Sequence, residues 1–383
     1  MIFEAIGPYN AIGKIAASEV RASLEAGYRV SVVAHRLDES LRNEVEWLKL
    51  YNPPRGFALK WLTARHFIRR AIGERTFDVV HGHQPQIADL CDVFQCHFLT
   101  RVAGERGCLV SGSGVGATIR RWQQQAIVRA EDRYYRRWNP TTRMLFVSEL
   151  IQREFERLYG LPPKSRVFEN AAPTWDPVSD TQRKQAREHY GVSHVNQPIV
   201  GYLGGLQRRK GYVELLDALA HEPGLFLLMA GQLTEGYTDR RLAGRIKGVG
   251  LIDSREFLAA CDVVIVPSRF DPCPMMVLEA AARGVPVIAS EGVGNRATLL
   301  EYGAGLAWEP DQPLGPVVNA LVAERDRFVA GCQHLVEERS ERANMDELMN
   351  IYAHVRQAKL TASDQSERNA KQTTATTVAE SRP

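Results

Sequence analysis

An α/β protein of two doubly wound, Rossmann-like domains facing across a cleft is the fold this sequence predicts. Three observations predict it. Short apolar runs recur along the chain and are apolar on successive residues, as parallel strands covered by helices on both faces must be. Helical stretches separate those runs. A polar, Pro-containing segment at 170–181 (NAAPTWDPVSDT) parts the series into two sets and reads as a hinge.

In the first set the strands expected are 29–34 (RVSVVA), 77–83 (FDVVHGH), 92–98 (DVFQCHF) and 144–149 (MLFVSE). In the second they are 198–204 (PIVGYLG), 225–231 (LFLLMAG), 262–268 (DVVIVPS) and 286–290 (PVIAS). The domains expected are 1–170, a linker and start of the second domain at 171–196, and 197–343; a helix at 344–360 crosses back to the first. Residues 361–383 carry almost no large apolar side chains and are expected to be disordered, because too little surface is buried to offset ordering.

At 383 residues and 42.9 kDa the chain can bury two cores. No run of about 18 uncharged apolar residues appears, so no membrane-spanning helix is expected. The N-terminal MIFEAIGPYNAIGK lacks the basic start and apolar core of a secretory signal. Six cysteines without a CxxC pair argue against structural zinc and for reduced thiols, hence a cytoplasmic protein. The net charge of +3 hides an asymmetry: residues 1–170 hold 25 Lys+Arg against 18 Asp+Glu, and the remainder carries −4. A basic half suits an anionic partner, and an uneven but inert surface suits the count equally well.

Two stretches carry chemistry. In 201–219 (GYLGGLQRRKGYVELLDAL) a strand ends in glycines, a loop carries Arg208, Arg209 and Lys210, and a helix starts near Gly211. Glycine permits close backbone approach, and a helix start offers unpaired N–H groups with partial positive charge, so the loop suits a diphosphate. Neither a Walker loop nor a Gly-x-Gly-x-x-Gly fingerprint is present. In 267–290 (PSRFDPCPMMVLEAAARGVPVIAS) a loop through Asp271 and two prolines leads into a helix near Met275, with Glu279 one turn in. Loop and first turn can curl round one ligand, the carboxylates accepting from hydroxyls and the amides meeting phosphate.

In their order, RRKG, then DPCPMMVLEA, then ARGVPVIAS, these motifs resemble the retaining family 4 glycosyltransferases of the GT-B fold. FDVVHGHQ, FQCHF, LFVSELIQREF and RVFENAAP extend the resemblance over most of residues 1–310. The family's Glu-x7-Glu pair is here Asp271-x7-Glu279. The resemblance implies that Glu279 binds the nucleotide ribose and that Asp271 touches the donor sugar's hydroxyls. Lys210, with Arg208 or Arg209, meets the pyrophosphate, and Pro274 and Met275 open the helix whose amides face it. His97 stands beside the reacting centre, and Gly13 lies in an N-terminal loop (AIGK, 11–14) near the donor phosphates. Asn170 matches an interdomain Asn-Gly motif, with Ala171 for the glycine; it also suits plain turn capping. Gly205 stands where relatives often carry arginine, and GVGNRAT (292–298) where many carry Pro-Glu.

The activity implied is retaining, metal-independent transfer of a sugar from a nucleoside-diphosphate donor to an acceptor hydroxyl, with no cofactor. The acceptor expected is a glycan or lipid-linked glycan of polysaccharide or lipopolysaccharide assembly. The Asp271 substitution, the glycine missing beside Gly13 in AIGK, and Ala171 also fit a catalytically silent GT-B subunit. Residues 117–138 read as an Arg-rich helix with a stripe of Ile119, Trp122, Ala126, Ala130, Tyr134 and Trp138. That stripe suits either docking on an anionic membrane, at the inner face of the cytoplasmic membrane, or packing on its own domain. Nucleic acid is not an expected partner, since no recognised motif accompanies the arginines. The Gly-rich 102–116 reads as an acceptor-side loop.

Overall fold

A computed structural model describes residues 1–51, 57–109 and 114–380. Contacts divide the chain into two units: 1–95, 137–144 and 345–383 form the first, and 96–136 with 145–344 the second. The division therefore falls inside the expected first domain and not at 170. Residues 145–170 belong with the second unit because their side chains pair there: Thr298 Oγ1 donates to Glu169 at 2.8 Å, and Asn170 Nδ2 to Cys273 O at 3.3 Å.

In the first unit parallel pairings run from Glu46–Lys49 to Ser31–Ala34, and from His81–Gly82 to Val93–Cys96. Ile2 bridges both Val33 and Gly82 and so joins the two pairs. The helix Ala11–Glu25 buries Ala16, Ala17 and Val20, and its N-cap Asn10 accepts from Gly13 N at 2.7 Å. The short pairs Ala5–Ile6 and Arg36–Leu37, and the strand Glu46–Lys49, were not among the expected strands.

The second unit holds a six-stranded parallel sheet in the order Ile246–Gly248, Phe226–Ala230, Ile199–Leu203, Val263–Val266, Val287–Ala289, Gly305–Ala307. Numbered along the chain this is 3-2-1-4-5-6, the doubly wound order whose switch point lies between the first and fourth strands. Every residue of Phe226–Ala230, Val263–Val266 and Val287–Ala289 is buried, which explains their unbroken apolar sequence. Ile246–Gly248 and Gly305–Ala307 escaped the sequence because they are short and only partly buried.

One helix, Glu341–Glu380, replaces both the expected 344–360 helix and most of the disordered tail. It buries Leu348, Ile351, Tyr352 and Val355, spaced three and four apart, and its residues from Met345 belong to the first unit. Residues beyond them contain neither Gly nor Pro before Pro383, so extending a helix already nucleated costs little. Within the expected 102–116 loop, Thr100–Glu105 is helical, the next helix begins at Val115, and 110–113 lie outside the described residues.

The Arg-rich helix spans Val115–Tyr135. Its buried positions are Ala117, Ile127, Glu131, Asp132 and Tyr135, so the expected stripe is not the packed face. The N-terminal half stands clear: Val115, Ile119 and Trp122 are 78%, 53% and 74% exposed. Among the described residues no helix is long and apolar enough to cross a membrane.

Candidate functional site

The switch point brings the loops after Ile199–Leu203 and Val263–Val266 side by side at the carboxyl ends of their strands. The first loop needs glycine twice. Gly205 has φ +65°, and a Cβ there would lie 2.7 Å from Gln232 O. Gly211 has φ +72°, and a Cβ there would meet Pro267 O at 1.7 Å, so any side chain forces the turn to shift. Between them Arg208–Lys210 make one 3₁₀ turn that leads into the helix Tyr212–Ala220. Tyr202 Oη donates to Gly205 O at 2.8 Å and ties the turn to its strand; burial pushes that phenol up.

Lys210 Nζ lies 2.5 Å from Asp271 Oδ2, and Arg209 Nη1 lies 3.4 Å from Asp271 Oδ1. Arg209 Nη1 also donates to Phe270 O at 3.1 Å. Lys210 and Asp271 thus face each other across the switch point, 61 residues apart. Their side chains keep 21% and 11% of their exposure. Water therefore reaches the pair, and it can be exchanged for a ligand without stranding a dry charge.

Asp271 is fixed through its backbone. Its N–H donates to Gly292 O at 2.8 Å, and Gly294 N donates to Asp271 O at 2.9 Å. A Cβ at Gly294 would meet Pro272 O at 1.7 Å, and one at Gly292 would meet Ser268 O at 2.2 Å. Two amides hold the rest of the loop: Asn170 Nδ2 on Cys273 O and Asn295 Nδ2 on Pro274 O, both at 3.3 Å. Pro274 then N-caps the helix Met275–Ala282, in which Met275 and Glu279, one turn apart, are the partly exposed residues. Burial pushes the Cys273 thiol up, so it stays protonated.

His97 is half-buried between the strand Val93–Cys96 and the helix Thr100–Glu105. Its neighbour Phe98 packs on Phe270 with ring centroids 5.3 Å apart. Arg106 reaches the same loop, with its guanidinium 5.5 Å from the Phe270 ring and Nη1 donating to Arg269 O at 3.4 Å. Arg269 in turn pairs with Glu214.

Of the residues singled out in the sequence, Arg209, Lys210 and Asp271 meet directly. Gly205, Pro274, Met275 and Glu279 belong to the same two loops and the helix that follows. Arg208 is exposed and outside the ion pairs. Gly13 corrects the expected AIGK loop: it sits in the first turn of a helix in the first unit, and its N–H is taken by Asn10. A Cβ at Gly13 would meet Ala5 O at 2.5 Å, so packing of the helix on the chain before it demands this glycine. Sequence reasoning missed Phe98, Arg106, Phe270 and Asn295. Each lay inside a stretch already singled out, FQCHF, 102–116, PSRFDPCP and GVGNRAT, but no period or spacing there assigned it a role. A cavity of about 1130 Å³ opens in the first unit beside Tyr28, Arg75, His81 and Arg356, and none of the residues assigned to the donor borders it.

Residues 13–176 match the Glycosyltransferase Family 4 profile, and residues 185–315 that of the Glycosyl transferases group 1. The chain is 27% identical over 275 residues to alpha-maltose-1-phosphate synthase of Mycolicibacterium smegmatis, covering 63% of this chain and 68% of that protein. It is 27% identical over 157 residues to the lipopolysaccharide core biosynthesis glycosyltransferase LpsE of Rhizobium meliloti, covering 39% of this chain and 43% of that one. Among solved structures, WaaG, a glycosyltransferase involved in lipopolysaccharide biosynthesis, superposes with a TM-score of 0.68 at 14% identity, over 88% of this chain and 94% of that one. Anabaena HepE in complex with UDP-glucose gives 0.63 at 17% identity, over 92% and 100%. At such identities the likeness speaks for the GT-B fold.

Proposed function

Because the chain belongs to the family 4, group 1 glycosyltransferases, we propose that it moves a sugar from a nucleoside-diphosphate donor to an acceptor hydroxyl with retention of anomeric configuration. The observation that carries this reading is the convergence of Arg209, Lys210 and Asp271 at the switch point of the second sheet. A departing nucleoside diphosphate gathers negative charge, and two cations beside a helix start neutralise it where it forms. That placement, with no Asp-x-Asp in the chain, supports leaving-group stabilisation without a metal. When the pyrophosphate arrives it competes for Lys210 and releases Asp271 toward the sugar hydroxyls, while Glu279 addresses the ribose. Asp271 is one methylene shorter than the Glu of relatives, so it reaches less far into the site. No protein nucleophile is assigned; attack from the leaving-group face, assisted by the departing phosphate, suits retention.

The test is a thermal-shift panel of UDP-, GDP- and ADP-sugars followed by turnover of whichever stabilises the protein. A ligand at 100 times its Kd adds about 2.7 kcal/mol to the native state. Stabilisation by none of the three classes would count against the reading. Stabilisation without any turnover would favour a silent binding subunit, a reading to which the closed Lys210–Asp271 pair also lends itself.

For the acceptor, the likeness to LpsE supports a glycan or lipid-linked glycan. Val115, Ile119 and Trp122 lie on one helix face, four and three residues apart, beside Arg120 and Arg121. Exposed apolar side chains rimmed by arginine suit the headgroup region of an anionic bilayer. Co-sedimentation with vesicles of anionic lipid at low salt, lost in Trp122→Ser, is the expected result; equal recovery in the supernatant with and without vesicles removes the membrane from the proposal.

A further inference from the structure

Glu131 and Asp132 are the acidic residues of the Arg-rich helix Val115–Tyr135, and both are buried. Glu131 Oε1 accepts from Thr100 N at 2.7 Å, and Oε2 from Thr100 Oγ1 at 2.6 Å. Thr100 opens the helix Thr100–Glu105, whose N-cap residue Leu99 brings no side-chain acceptor. A carboxylate from another helix therefore supplies the missing cap. Asp132 holds the next residue, with Arg101 Nε donating to Oδ1 at 3.0 Å and Tyr159 Oη to the same oxygen at 2.7 Å. Three residues before Thr100 stands His97, and between them Phe98 rests on Phe270, the residue before Asp271. Contacts thus run from Glu131 through Thr100 and Phe98 to the donor loop, all within the second unit.

We propose that Glu131 is a positioning residue for sugar transfer, holding the segment His97–Thr100 against the donor loop. The proposal rests on the reading of His97 as standing beside the reacting centre. An ionised Glu131 accepts from both Thr100 donors at once. The protonated acid accepts from Thr100 N–H alone and keeps the second bond only by reversing it, its O–H donating to Thr100 Oγ1, which loosens the charge-assisted hold on the segment. The groups that face it are Asp132 and Tyr135 on its own helix, Thr100 and Arg101 on the next, Cys96 at the strand end, and Tyr159 from the helix Glu149–Tyr159. Burial has the largest influence and pushes the Glu131 carboxyl up to about 7; the Thr100 hydrogen bonds oppose it, and Asp132 adds to it. The folded-state value is raised, so protonation sets in as pH falls through that value, and transfer declines with it.

The experiment compares wild type, Glu131→Gln, Thr100→Val and His97→Ala by release of nucleoside diphosphate from UDP-glucose, GDP-mannose or ADP-glucose, between about pH 5.5 and 8.5. Melting temperatures are recorded in parallel. Glu131→Gln is expected to lower kcat by about tenfold with donor KM within about twofold, and to flatten the acid limb near neutrality. Thr100→Val, which removes one of the two donors, is expected to lower kcat less and in the same direction. Wild-type kcat and an unchanged acid limb in a Glu131→Gln protein of normal melting temperature overturn the proposal. Full turnover by His97→Ala, or no turnover of any of the three donors by wild type, overturns the reading beneath it instead.

Discussion

The two units each contain a cluster of charged side chains, and the clusters are built for opposite ends. In the first, Glu19 is wholly buried, with Oε2 2.9 Å from His83 Nε2 and 3.9 Å from His81 Nδ1. Tyr352 of the C-terminal helix closes the group, its Oη 2.6 Å from His81 Nδ1. In the second, Arg209, Lys210 and Asp271 keep part of their surface in water. A dry cluster is costly to disturb and fixes a core; a wet one is cheap to open and can trade its internal partner for a ligand. Acidic and basic side chains meet in both clusters, so side-chain type alone does not tell them apart. Access to solvent separates the two.

The largest effect expected is on stability in the first unit. Glu19→Ala leaves two buried imidazoles without their carboxylate, and a loss on the order of 3–5 kcal/mol is expected, read as a lower urea midpoint. Donor affinity should be unchanged in that variant at temperatures where it remains folded. A neutral Glu19→Ala would erase the contrast between the clusters. Lys210→Ala is the converse: turnover should fall about 10²–10³-fold, as for removal of one electrostatic stabiliser, with the melting temperature within a few degrees of wild type. Full activity in that variant breaks the site assignment.

Gly211→Ala tests the frame that holds the wet cluster. The new Cβ would sit on Pro267 O at an unfavourable φ, so a cost of roughly 1–3 kcal/mol is expected, with weaker donor binding as the turn shifts. Stability and affinity both at wild-type values would show that the turn is not braced by its glycine. The smallest effect is expected from a chelator: EDTA should change turnover by less than about twofold if Lys210 and Arg209 stabilise the leaving group alone. Abolished turnover, restored by added Mg²⁺ or Mn²⁺, would replace that mechanism with a metal-assisted one.

Legibility followed locality. The RRKG turn and the DPCPMMVLEA loop were readable because strand, loop and helix succeed one another within about 25 residues, and each announces itself through period and turn chemistry. AIGK was misread although Asn10 stands before it, an N-cap residue in front of an apolar run. In the Arg-rich helix the apolar count pointed to a stripe through Ile119 and Trp122, whereas the buried face runs through Ile127, Glu131 and Tyr135. Composition could not reveal that both acids pair inward, because their partners Thr100 and Arg101 lie about 31 residues earlier in the chain.

The sequence by itself determined that parallel strands would alternate with helices, that a cationic turn would follow one strand and an acidic loop another, and which side chains each would carry. Those properties depend on residues within a few turns of one another. Only the tertiary structure decided that Lys210 grips Asp271, that Gly292 and Gly294 let a third loop lie against the second, and that Glu131 caps a helix bearing no cap of its own. Each of these joins segments tens of residues apart, and the strand order 3-2-1-4-5-6, which no local period encodes, makes the first two of them neighbours.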